Sequence, residues 1–195
     1  MSHNGKNLEK ELTFTRFDQM SERYPENTAV FYLGQGFSFS RIRGLSERFA
    51  GALQNLGVKK NDRVMIYIPN CVQWVIAFLA IQKMGAVLVP VSPIYTSHEL
   101  DYMIKDSGAE TIICQDTNFC YASDVFAESG YQVVIDMRGP NEDRGIDDFG
   151  GAVESRGMKY VTFPIASPDE INLEKAAELD RLLEGIDGPV PRGLV

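Results

Sequence analysis

The chain has 195 residues, long enough for one compact domain with a true core and too short for two large ones. Hydrophobic residues make up 44% and charged residues 24%, and a formal net charge of −8 without a basic cluster argues against nucleic acid or anionic lipid as partner. No stretch approaches the roughly eighteen uninterrupted apolar residues of a transmembrane segment, residues 1–10 lack the apolar core of a signal peptide, and Cys71, Cys114 and Cys120 form neither a disulfide framework nor a zinc pattern, so a cytoplasmic protein is expected.

Residues 1–13 read as a flexible N-terminus. Residues 14–23 read as a short helix with Phe14, Phe17 and Met20 on one face, broken by Pro25 and Asn27. Residues 28–33 and 37–39 are strand-like and predict a β-hairpin across a three-residue loop, Gly34-Gln35-Gly36. Ser40 is the expected cap of a helix whose apolar positions Ile42, Leu45, Phe49, Leu53 and Leu56 recur at helical spacing, and Gly57 ends it.

Residues 57–93 carry the most information. The run 63–68 (RVMIYI) has the composition of a strand buried on both faces. Pro69 stops it, Asn70 suits the cap of the next helix, and Gln73 stands where a capping box needs it. Residues 71–84 are apolar almost all round, so that helix must be sandwiched. Gly85 sits at the left-handed end of the helix, and residues 86–91 supply a second strand. The unit is βαβ, so its strands are parallel and its crossover right-handed.

Two further steps follow. Thr96 and Glu99 form a capping box for a helix reaching residue 107, Gly108 stops it, and residues 111–114 (TIIC) form a strand. Residues 118–128 read as helix and 132–136 as strand. The predicted fold is therefore α/β, a parallel β-sheet flanked by helices with an N-terminal β-hairpin, spanning residues 14–137. Composition changes at Arg138: residues 139–157 hold five glycines and five acidic residues and read as an acidic Gly-rich loop, assigned to 138–159. Residues 160–195 read as a strand at 160–163, a helix at 167–184 capped by Ser167 with Pro168 in its first turn, and a tail of turn and coil.

In order, Leu-Gly-Val at 56–58, Lys-Asn-Asp-Arg-Val at 60–64, Ile-Pro-Asn at 68–70, Lys-Met-Gly-Ala-Val at 83–87, Val-Pro-Val-Ser-Pro at 89–93 and His-Glu-Leu at 98–100 resemble the N-terminal region of the acyl-CoA synthetases. These belong to the adenylate-forming (AMP-binding) superfamily, and the resemblance runs over about residues 14–135. Residues 91–95 with Glu99 and Leu100 are closer to the long-chain, medium-chain and aryl-acid enzymes than to the acetate enzymes. The resemblance implies an acid–thiol ligase: a carboxylic acid, ATP and CoA give acyl-CoA, AMP and pyrophosphate through an acyl-adenylate. ATP, Mg2+ and CoA are implied for the full-length enzyme, the remainder of the synthetase is the implied partner, and a homodimer is a further implied state.

The resemblance also implies a glycine- and hydroxyl-rich loop with a lysine to cradle the triphosphate. No such segment occurs here; the nearest, residues 145–151, lacks the hydroxyls and the lysine and carries Asp147 and Asp148. The expectation is an N-terminal fragment that is scaffold, inactive alone, with no catalytic, cofactor-binding or metal residues of its own. The alternative is a stand-alone, non-catalytic docking module that partners a separate catalytic half. Five other features each have a functional and an ordinary reading. Cys71 at a helix N-terminus reads as a small hydrophobe, and His98 as a solvated side chain. Asp62 and Arg63 read either as an anion contact or as a surface pair. Trp74 and Phe78 share a helix face and read as core against an acyl-tunnel wall. Asp147, Asp148 and Glu154 match no calcium loop and read as a solvated charge run.

Overall fold

A computed structural model of the chain describes residues 12–136, 147–162, 181 and 192–194. Helix α1 (Thr13–Arg23) precedes an antiparallel hairpin of β1 (Thr28–Tyr32) and β2 (Gln35–Ser38). The turn differs from the expected loop: it is two residues, Leu33 and Gly34, both at positive φ (47° and 81°). A two-residue turn of that sign matches the right-handed twist of the flanking strands, which is why the hairpin closes there. Helix α2 (Phe39–Asn55) starts earlier than expected, because the extended cap conformation falls on Ser38, whose Oγ accepts from the Arg41 amide at 3.3 Å; Ser40 lies inside the helix.

The remaining elements alternate: β3 (Arg63–Tyr67), α3 (Val72–Lys83), β4 (Val87–Pro90), α4 (Ser97–Ser107), β5 (Thr111–Cys114), α5 (Asp116–Glu128), β6 (Val133–Asp136), α6 (Phe149–Glu154), β7 (Lys159–Thr162) and β8 (Arg192–Leu194). Strands β3 to β8 form one parallel sheet in the order β4-β3-β5-β8-β6-β7. The predicted α/β architecture with an N-terminal hairpin is what the chain adopts.

Alternation along the strands fills two cores. Val64 and Ile66 face Leu53 of α2, Leu56 just past its end, and Ala77 and Ile81 of α3. Met65 and Tyr67 face the other way, onto Leu100 and Ile104 of α4 and Phe119, Ala122 and Phe126 of α5. The sheet is thus covered on both faces, and α3 is sandwiched as its all-round apolar character requires, since α1 and the hairpin pack on its outer side through Phe17, Val30 and Phe37.

Three local expectations are corrected. Cys71, not Asn70, caps α3, and no side chain completes the cap. The Gly-rich stretch is not loop throughout: Asp148 Oδ1 accepts from the Gly151 amide at 2.8 Å and starts α6, which buries Phe149 and Val153. Its two glycines are demanded by close approach, since a Cβ on Gly150 would stand 2.9 Å from Tyr160 Cδ1 and one on Gly151 would collide with the Asp148 carboxylate. The tail is not all coil either, because β8 takes a central place in the sheet. The helix expected at 167–184 lies outside the described residues apart from Arg181, which is helical.

Candidate functional site

In open α/β sheets, ligands collect at the carboxyl ends of the strands, where neighbouring strands send their connections in opposite directions. Here those neighbours are β3 and β5: β3 leads through α3 to β4 on one side, and β5 leads through α5 to β6 on the other. Tyr67 and Cys114 end the two strands in register.

Beside that point lies an open cleft of about 390 Å³. Ile68, Pro69, Asn70 and Trp74 form one wall, from the end of β3 and the first turn of α3; Pro90, Val91, Ser92 and Pro93 form the other. Pro90 is tolerated because β4 is at the edge of the sheet among the described strands, where a residue without an amide hydrogen breaks no ladder. Trp74 is half-buried, stacked on Phe78 with ring centroids 5.3 Å apart and planes 17° apart. The cleft therefore offers an aromatic and proline surface with one carboxamide and one hydroxyl, and no charged side chain lines it.

Two buried polar groups lie along the same edge. Tyr67 is fully buried, and its hydroxyl has no hydrogen-bond partner. Burial pushes its pKa up, and the nearby Asn118 side chain opposes that shift without reaching hydrogen-bond geometry. Asp136, at the end of β6, is also fully buried, and its Oδ2 accepts from the Tyr160 hydroxyl at 2.6 Å. The sequence marks both only as strand residues; the alternation shows which side chains are buried but not what their polar atoms meet.

The candidate residues that the sequence offers are dispersed. Trp74 reaches the cleft while also packing on the core of α2, α3 and β3; Phe78 packs toward α1 and the hairpin. Cys71 is a half-buried free thiol at the cap of α3, and His98 is exposed in the first turn of α4. Asp62 Oδ2 accepts from the Lys59 amide at 2.8 Å, at the amino end of β3 and so at the opposite edge from the cleft. Asp148 is used as a helix cap, and Asp147 and Glu154 are exposed. No group of three or more His, Cys, Asp or Glu among the described residues is placed to hold a metal ion, and no described helix is long and apolar enough to cross a membrane.

A nucleoside triphosphate needs backbone amides at close approach and positive charge. The described connections after β3 (Ile68 to Cys71), β4 (Val91 to Thr96) and β5 (Gln115) contain no glycine, lysine or arginine. The residues present there do not fit a triphosphate, and an uncharged group suits the cleft better.

A family profile described as AMP-binding enzyme matches residues 17–173. The long-chain-fatty-acid–CoA ligase of Salmonella typhimurium is 31% identical over 167 residues, which covers 83% of the chain and 29% of that relative. The long-chain-fatty-acid–CoA ligase of Bacillus subtilis is 36% identical over 97 residues, 50% of the chain and 17% of the relative. Among solved structures, coronafacic acid ligase from Pectobacterium brasiliense superposes with a TM-score of 0.60 at 25% identity, over 64% of the chain and 25% of that protein. The chain therefore spans less than a third of the length of these relatives.

Proposed function

The chain belongs to the AMP-binding enzyme family, and from that premise we propose that it supplies the N-terminal sheet layer of an ATP-dependent acyl-CoA synthetase. The reaction is the joining of a carboxylic acid to CoA through an acyl-adenylate, with ATP, Mg2+ and CoA as the co-substrates and metal of the assembled enzyme. A long-chain fatty acid is the substrate class, supported by the names of the two ligases compared above. The single observation that carries the reading is the family match over residues 17–173, together with a parallel sheet among the described residues that superposes on coronafacic acid ligase.

The chain's part in this chemistry is support. The described connections after β3, β4 and β5 carry neither the glycines nor the cations that a triphosphate needs, which supports a nucleotide gripped by the remainder of the synthetase. Two measurements test this together. Long-chain fatty acid should drive ATP–pyrophosphate exchange in the polypeptide that joins this chain to the remainder; separately encoded halves would show it only on mixing. Titration of Mg-ATP into the 195-residue chain alone should give no heat in the micromolar range. Micromolar binding by the chain alone would overturn the supporting role, and absence of exchange in the joined protein would overturn the activity.

A further inference from the structure

We draw no further inference here: the strongest candidate, the open uncharged cleft walled by Trp74, Pro90 and Pro93 at the carboxyl ends of β3 and β4, belongs to the site already described, and nothing in the structure shows what covers it.

Discussion

Lys83 Nζ donates to both carboxylate oxygens of Asp18, at 2.7 and 2.8 Å, tying α3 to α1 across 65 residues of chain. Glu47 of α2 joins from 3.3 Å, and Arg43 bridges to Glu47 at 2.9 Å and Glu22 at 3.4 Å, so one charged network holds three helices together. The Lys83 side chain is only 12% exposed, which makes the loss of its shorter ion pair costly even with Glu47 still at 3.3 Å. Asp18→Asn should therefore cost about 1–3 kcal/mol, a fall in Tm of roughly 2–4 °C for each kcal/mol. Lys83→Met should cost less, because the better-hydrated Asp18 is left behind in place of a buried ammonium. Thermal melts of the two variants check the order; a milder Asp18→Asn would refute it.

Acid should weaken the same network, and with it the cap of α4. Burial pushes the Glu47 carboxyl up, but hydrogen bonds from Arg43 and Lys83 outweigh burial and hold its pKa below 4.5. The Glu99 carboxyl is also held low, by the Thr96 amide and then the Thr96 hydroxyl. Both groups ionise more readily folded than unfolded, so their stabilisation is complete above the unfolded pKa and disappears as pH falls through the folded one. Urea midpoints should drop between about pH 5 and pH 3 in the wild type. Glu47→Gln and Glu99→Gln should each flatten part of that drop; an equally steep fall in both would reject the assignment.

The contrast between these two carboxylates shows what a sequence reveals. Thr96 and Glu99 are three residues apart, so their reciprocal cap is written in local spacing and is present as read. Glu47 owes its partners to tertiary packing, as does the Asp18 and Lys83 pair, and no period in the chain signals either. The βαβ core was legible because hydrophobic alternation and glycine stops are local. The cleft was not, because its walls meet from two connections about twenty residues apart. Strand β8 was hidden for a different reason: Arg-Gly-Leu has no strand propensity, and only its long-range neighbours make it a strand. In the Gly-rich stretch, glycines that answer a crowded Tyr160 ring and a capping Asp148 looked like loop composition.

The hairpin turn holds a residue its geometry disfavours. Leu33 has φ 47° and is 87% exposed, so its side chain gains little burial while its backbone carries the left-handed strain. Gly34 beside it suits the turn. Leu33→Asn or Leu33→Gly should stabilise the protein by about 0.5–1 kcal/mol, since asparagine and glycine are the residues such turns prefer. Chemical denaturation checks the sign, and a loss of stability in both variants would show that the Leu33 side chain is held by a contact.

Two buried tyrosines should respond in opposite ways to the same change. Tyr131 donates its hydroxyl to the Ala109 carbonyl at 2.6 Å, whereas the Tyr67 hydroxyl meets no acceptor. Both rings sit in the core shared by α4, α5 and the sheet, so replacing either by phenylalanine preserves ring packing and removes only the polar atom. For Tyr131 the loss leaves a buried carbonyl without its donor, and Tyr131→Phe should cost about 1–2 kcal/mol. For Tyr67 the change removes a polar atom that was desolvated without compensation, so Tyr67→Phe should leave stability level or raise it by up to about 1 kcal/mol. Paired urea titrations measure both. If Tyr67→Phe were as costly as Tyr131→Phe, the hydroxyl would have to be held in solution, by the nearby Asn118 side chain or by a bound water at the end of β3.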